Sequence, residues 1–257
     1  MSSLVSVIMP SYNTAPFIAE SIRSVLAQTY TDGELIIVDD ASTDNTDEVV
    51  QNVILERSDR IHYIKNDQNR GAAYSRNRAL REAKGKWIAF LDSDDLWVPD
   101  KLEKQIAFME GNGYAFCYTR YQEMDEAGKP TGIVVGGPKR ITKRGMFNYC
   151  WPGCLTVMYN REVVGDIQIA DIKKNNDYAM WLKIVRKADC YYLPENLALY
   201  RKRDGSISDH NYISLVKWHY KLYRKAEGMN RVHSLNTTAR NLAFGVWKKL
   251  RYVKRHK

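Results

Sequence analysis

The sequence predicts an α/β fold with a mostly parallel central sheet, helices on both faces and a basic helical extension at the C-terminus. Three observations carry this. Short β-rich runs alternate with segments of helical period over the first 110 residues, the pattern of βαβ units. The strand candidates are nearly continuous apolar runs, as strands covered on both faces must be. Residues 201–257 hold 15 Lys/Arg against Asp204, Asp209 and Glu227, a local net of +12, so that the first 200 residues carry −3 of the total +9.

Each element has its own signal. Leu4 to Met9 reads as a strand, and Pro16 opens a helix with Ile18, Ile22, Val25 and Leu26 on one face. Glu34 to Val38 is the second strand. Ser42 and Asp44 are cap candidates for a helix through Val49, Val50 and Val53, and Ile61 to Ile64 is the third strand. Gly71 opens a helix to Ala83, Trp87 to Leu91 is the fourth strand, and Pro99 begins a helix through Leu102, Ile106 and Met109. After Gly113 the pattern becomes hairpin-like, with strands at Tyr114 to Tyr118 and Gly132 to Val135 around a turn at Glu126 to Pro130. Gly136 to Gly145, rich in Gly, Lys and Arg, is expected to be a mobile loop. A strand at Leu155 to Tyr159 and a helix at Asp177 to Lys187 complete this half, and helices follow from Ile213.

Composition excludes some classes and leaves others open. With 257 residues and 44% hydrophobic content the chain can fill a core, so bulk disorder is excluded. Cys117, Cys150, Cys154 and Cys190 lack the C-x-x-C pairs of zinc sites and read as reduced cytoplasmic thiols. The N-terminus has no basic n-region and no stretch approaches 18 uncharged apolar residues, so neither secretion nor a membrane span is expected. Net positive charge admits nucleic acid, anionic lipid or a phosphorylated small molecule as partner.

In an open α/β sheet ligands bind outside the carboxyl ends of the strands. Three strands end in polar sets: Pro10-Ser11-Tyr12-Asn13, Asp39-Asp40-Ala41-Ser42 and Asp92-Ser93-Asp94-Asp95. Any one of these is ordinarily a helix cap; three on one sheet edge point to a site. Asp92, Asp94 and Asp95 place like charges so close that a hard cation is the natural solution, and Mg²⁺ or Mn²⁺ takes one or two carboxylates plus the oxygens of a substrate diphosphate.

PSYN after the first strand, VDDASTDNT after the second, NRGAAYSRNRAL before the fourth and FLDSDD after it resemble, in that order, family 2 glycosyltransferases with the GT-A fold, whose central sheet is Rossmann-like. The resemblance covers roughly residues 4 to 210. It implies a catalytic domain over 1–210, with a nucleotide-binding half (1–110) and an acceptor-binding half (111–210), followed by the basic extension 211–257. It implies that Asp40, with Asp39 beside it, grips the uracil of a UDP-sugar, that Pro10, Tyr12 and Asn13 lie against the base, and that Asp92 and Ser93 sit near the ribose. Asp94 is the implied ligand of Mn²⁺ or Mg²⁺ on the diphosphate. Arg70 and Arg76, around the helix start at Gly71, are candidate phosphate or nucleotide contacts, and Asn77 is expected to fix local backbone.

In the second half Asn175-Asn176-Asp177-Tyr178-Ala179-Met180-Trp181 is similar to the family's E-D-x-x-L-W signature. The resemblance makes Asp177 the general base of an inverting transfer; Asn176 stands where that signature has Glu, which leaves a depressed pKa for Asp177 easier to reach and bears on acceptor contacts. Asp177 is equally a cap candidate for its own helix. Tyr200-Arg201-Lys202-Arg203-Asp204-Gly205-Ser206-Ile207-Ser208 looks like the family's Y-R-x-H-x-x-S-I-S loop, with Arg203 in place of His, Arg201 and Arg203 as diphosphate cations, and His210 as a substitute metal ligand.

Cys150 and Cys154 read as packed thiols or a redox pair; Trp151 and Tyr149 as a sugar-stacking platform for the acceptor or as core. Lys217, Lys221, Arg224 and Lys225 share a helix with Trp218, Tyr220, Leu222 and Tyr223. The stretch from Arg240 to Lys257 has seven cations among Phe244, Val246, Trp247, Leu250, Tyr252 and Val253, so it reads either as an interfacial helix drawn to anionic lipid, with Phe244 and Trp247 dipping in, or as a helix packed on the domain. The expected function is metal-dependent transfer of a sugar from a UDP-sugar to a glycan hydroxyl in bacterial cell-surface polysaccharide synthesis, on an acceptor that can be lipid-linked, at the inner face of the membrane. A nucleic-acid-binding protein and a sugar nucleotidyltransferase are the alternatives. The first leaves the acidic strand ends without purpose, and the second lacks a Gly-rich basic loop after the first strand.

Overall fold

The computed structural model describes residues 3–56, 60–203 and 212–255, without the side chains of residues 212 and 213. The first half runs β1 (Val5–Ser11), α1 (Ile18–Leu26), β2 (Gly33–Asp39), α2 (Thr46–Glu56), β3 (Ile61–Lys65), α3 (Ala72–Glu82) and β4 (Trp87–Phe90). β1 and β4 are buried along their whole length, as their mostly apolar sequences require. Alternate residues feed two cores: Ile8, Ile36, Ile88 and Phe90 on one face, Val7, Met9, Leu35 and Ile37 on the other. β1 pairs in parallel with β2 on one side and β4 on the other, and β2 with β3. The order β4-β1-β2-β3 reverses between β1 and β4, and such a switch opens a crevice at the carboxyl ends of the strands.

The chain continues through β5 (Leu96–Trp97), α4 (Lys101–Asn112), β6 (Phe116–Met124), β7 (Pro130–Val135), β8 (Arg140–Ile141), α5 (Lys143–Asn148), β9 (Met158–Asn160), α6 (Arg161–Val164), α7 (Asn176–Ile184) and β10 (Cys190–Arg201). Antiparallel β6 and β7 form the expected hairpin, its turn closed by Asp125 N donating to Lys129 O at 2.9 Å. Residues 136–145 depart from the expected mobile loop. They contain β8, paired with β10, and the start of α5, and they are pinned by Gly136 N on Tyr252 O (2.9 Å) and by the Tyr118 hydroxyl on Pro138 O (2.7 Å). The expected strand at 155–159 is a 3₁₀ turn over Cys154–Thr156 before the three residues of β9.

β10, twelve residues long, is absent from the sequence reading. Its alternation is broken by Pro194 and by irregular register against β6 between Leu193 and Ala198, and a bulge hides a period of two. Tyr200 and Arg201 consequently end a strand rather than sit in a loop.

From residue 212 come α8 (Tyr212–Lys221), a π-helical turn at Leu222–Ala226, α9 (Arg231–Tyr252) and β11 (Val253–Arg255), which adds to the sheet antiparallel to β7. Leu222 and Tyr223 are fully buried in the same core as Trp181 and Phe90. The Tyr178 and Tyr223 hydroxyls lie 3.0 Å apart, and Asn241 Nδ2 donates to both, at 3.2 and 3.1 Å. Trp151 is ringed by Tyr149, Phe244, Trp247 and Tyr252 at centroid distances of 5.2–6.2 Å. α9 is therefore docked through its aromatic face. Phe244, expected to dip into lipid, faces Trp151 instead, while Val246 (61% exposed) and Leu250 (81%) point to solvent. Among the described residues no helix is long and apolar enough to cross a membrane.

Candidate active site

Strand register assembles the site. Ser11 lies beside Asp39, and Asp39 beside Lys65. The ladder extends past the strands through Asp40 N to Ser11 O and Asn66 N to Asp39 O, both 2.8 Å, and Leu91 N to Ile8 O at 3.1 Å. Tyr12, Asp40, Asn66 and Asp92 thus leave the sheet at one edge.

Asp40 is buried and works hard within the fold: its carboxylate accepts from Asn66 Nδ2 (2.7 Å), Arg70 N (3.0 Å) and Gly71 N (2.6 Å). Gly71 is the N-cap of α3 at φ +86°, a backbone conformation that favours glycine, so Asp40 holds the amides at that helix start in place. Asp39 is fully buried, accepting from Ser42 and from the Tyr63 hydroxyl at 3.3 Å. Asn13, at φ +51°, accepts from Thr43 N at 2.8 Å and stitches the first two strand ends together. Pro10 and Ser93 are buried, whereas Tyr12 is 45% exposed and presents an open ring. Arg70 stacks on Tyr74 at 4.7 Å and is exposed beside the start of α3.

The acidic set after β4 is divided among cations. Asp92 pairs with Arg76, whose other nitrogen donates to Asn176 Oδ1 at 2.7 Å. Asp94 pairs with Arg203 at 2.7 Å. Asp95 is buried and accepts from Arg201 N at 2.8 Å. Burial, then the neighbouring carboxylates, pushes the pKa of Asp94 up and that of Asp95 well up.

Asp177 lies in the first turn of α7 behind Asn175, the N-cap at φ +59°, so it is not the cap the sequence allowed. Burial raises its pKa against the lowering effect of Arg76. The expected depression is thus reversed: removing the adjacent Glu charge does not offset the loss of water.

Among the described residues no three His, Cys, Asp or Glu side chains come together as a metal cage. The donor set still suits a hard divalent cation, because Asp92 and Asp94 offer carboxylate oxygens on one loop and such a cation takes one or two carboxylates with the oxygens of a diphosphate. His210 and residues 204–209 lie outside the described residues.

Three of the expected site residues are committed within the fold. Arg201 is buried with its donors committed to Asp94 O (2.8 Å), Glu126 O (2.8 Å) and Glu20 Oε2 (2.7 Å); it braces the acidic loop and has no fork free for a diphosphate. Trp151 is 4% exposed and caged by rings, so it is core and not an open stacking platform. Asn176 is buried and its Oδ1 accepts from Arg76. Asn77 does fix backbone, by paired bonds to Ile169 O (2.9 Å) and N (2.6 Å), far away in sequence. The four cysteines are free thiols. The sequence reading missed Asn66, which supports Asp40; it follows β3 directly, the one strand end of the first half left out of the search.

The sequence profile of Glycosyl transferase family 2 matches residues 6–164. The putative teichuronic acid biosynthesis glycosyltransferase TuaG of Bacillus subtilis is 41% identical over 237 residues, 91% of this chain and 92% of that one. An Escherichia coli protein described as UDP-Glc:alpha-D-GlcNAc-diphosphoundecaprenol beta-1,3-glucosyltransferase WfgD is 39% identical over 223 residues, 83% of each chain. Among solved structures, S. aureus TarS in complex with UDP-GlcNAc superposes with TM-score 0.72 at 23% identity, covering 93% of this chain and 71% of that one. The mannosyltransferase PcManGT from Pyrobaculum calidifontis, in complex with GDP-Man and Mn²⁺, gives 0.66 at 20% identity, with 95% and 75% covered. With the parallel sheet, the switch-point crevice and the ordered acidic motifs, these likenesses make the chain a member of glycosyltransferase family 2, a glycosyltransferase of the GT-A fold.

Proposed function

We propose that the enzyme moves a sugar from a UDP-sugar to a hydroxyl of a lipid-linked glycan, with inversion and with a divalent cation, in the synthesis of a bacterial surface polysaccharide. The observation that carries this is the bridge Asp92–Arg76–Asn176, which ties the acidic loop after β4 to the first turn of α7 and so sets Asp177 beside the donor edge. The relatives named for teichuronic acid synthesis and for a diphosphoundecaprenol acceptor support the pathway class.

In this reading the base lies against Tyr12, and Asp40 keeps the amides at the start of α3 in position for the nucleotide. Asp177 takes the proton of the acceptor hydroxyl as its oxygen attacks the anomeric carbon from the face opposite UDP, and the bond to UDP breaks. A raised pKa suits that task, because it strengthens the carboxylate as a base. When bound, Mg²⁺ or Mn²⁺ supplies positive charge to the departing diphosphate, with Asp94 as protein ligand and Asp92 adjacent. Arg203 exchanges its pairing with Asp94 for the diphosphate, and exposed Arg70 adds a second cation. Val246 and Leu250, one helical turn apart on α9 and flanking Lys249, give the surface that meets an anionic bilayer.

The test is UDP release from a panel of UDP-sugars with Mn²⁺ and a diphosphoprenol-linked acceptor. Turnover falls at least a hundredfold in chelator, in Asp94→Ala and in Asp177→Asn. Undiminished turnover by Asp177→Asn would remove the base, and donor use confined to GDP-sugars would remove the nucleotide assignment.

A further inference from the structure

A concave groove of about 640 Å³ lies away from the donor edge, at the amino-terminal ends of β6 and β10. Tyr192 in its wall and Arg201 at the acidic loop stand at opposite ends of β10, nine residues apart, or about 30 Å at the rise of an extended strand. The groove belongs to neither the nucleotide site nor the acidic loop.

Its walls are built rather than incidental. Tyr114 and Tyr191 stack at 3.6 Å with planes 3° apart, and Tyr118 and Tyr192 sit 4.9 Å apart. Gly136 and Gly137 approach the Tyr192 and Tyr118 hydroxyls so closely that a Cβ on either glycine would collide. Tyr192 N donates to Lys139 O at 3.0 Å, and Tyr252 at the end of α9 and Lys254 of β11 close the far side. Four cations line the space, Arg120, Lys139, Arg251 and Lys254, and none has a carboxylate partner among the described residues. Among the described residues no acidic side chain lines it.

We propose that this groove is a second glycan-binding site, which takes an oligosaccharide carrying carboxylate or phosphate groups. Tyrosine rings offer apolar faces and edges to sugar rings together with hydroxyls for hydrogen bonding, and unpaired cations select an anionic chain. The volume falls within the roughly 300–1,000 Å³ of small-ligand sites. A flat bilayer cannot enter a concavity. Binding here does not depend on the transfer chemistry proposed above, so it can be tested with no turnover.

The experiment is calorimetric titration of the full chain, with UDP present, using an octasaccharide of alternating glucuronate and N-acetylglucosamine. A neutral N-acetylglucosamine oligomer, a phosphomannan pentasaccharide, pyrophosphate and a single-stranded oligonucleotide serve as comparisons. The expected result is binding of the glucuronate chain, the phosphomannan or both, at least tenfold tighter than the neutral oligomer and pyrophosphate. That preference falls at least tenfold in Lys139→Gln/Lys254→Gln and is kept in Lys173→Gln/Lys187→Gln, where the exposed cations lie elsewhere. Whichever anionic glycan binds more tightly names the anion. Equal binding of the neutral oligomer, pyrophosphate matching the glycans, tighter binding of the oligonucleotide, or equal loss in the control variant would each overturn the proposal. A Tyr191→Ala variant with an unchanged melting temperature and unchanged glycan affinity would do the same.

Discussion

Arg76→Met should damage stability and the pH profile together, in amounts that can be separated. The Arg76 side chain is 8% exposed and spans Asp92 and Asn176, while the Asp92 side chain is 34% exposed. Removing one partner of a fully buried pair costs about 3–5 kcal/mol; because Asp92 keeps a third of its surface in water, about 2–3 kcal/mol is expected here. Urea unfolding measures it. The second effect acts on Asp177, whose pKa is raised by burial and lowered by the Arg76 charge. Without that charge the carboxyl holds its proton to higher pH, so the acid limb of kcat/KM moves upward. A destabilised variant whose acid limb stays in place would refute the electrostatic link between the bridge and Asp177, leaving Arg76 as scaffold alone.

Two further outcomes follow from buried groups. Lys101 is fully buried with its ammonium on Gln105 Oε1 and 4.1 Å from the Trp97 ring, and burial lowers its pKa from 10.5 to about 7. Between those values the unfolded chain binds a proton that the native protein does not, so this group makes stability rise with pH from about 7 to 10, by up to about 5 kcal/mol. Lys101→Met should therefore gain relative to wild type at pH 6 and lose that advantage by pH 10 in paired denaturant titrations; a pH-independent difference would contradict the shift. Trp151→Ala should cost about 3–5 kcal/mol of stability through the emptied ring cage, with KM for acceptor unchanged in the surviving folded fraction; the opposite pattern in steady-state kinetics would restore the stacking role.

The first half was legible because each βα unit there writes its signals locally: an apolar run, a polar strand end, a capping residue. Asp40, Asp92 and Asp94 could be placed at one edge from the order of the motifs, since parallel register brings successive strand ends abreast. What the sequence hid was which neighbour each charge meets. Nothing local marks Arg201 as a brace for a loop more than a hundred residues earlier, or Asn176 as the partner of Arg76. β10 was hidden by its own irregularity, since Pro194 and the shifted register remove the alternation by which a strand is recognised. The pKa of Asp177 was misjudged because sequence shows neighbouring charges and not the loss of water.

The trio Tyr178, Tyr223 and Asn241 redraws the boundary of the smallest portable unit. A transplant or chimera cut near residue 210 would take Tyr223 and Asn241 from the Tyr178 hydroxyl and leave it only Met146 O, would strip the cover from Trp151 and would bare the β7 edge that β11 occupies. The cassette that can be exchanged between enzymes of this kind therefore extends to residue 255, and the basic tail travels with the catalytic machinery as one of its structural parts.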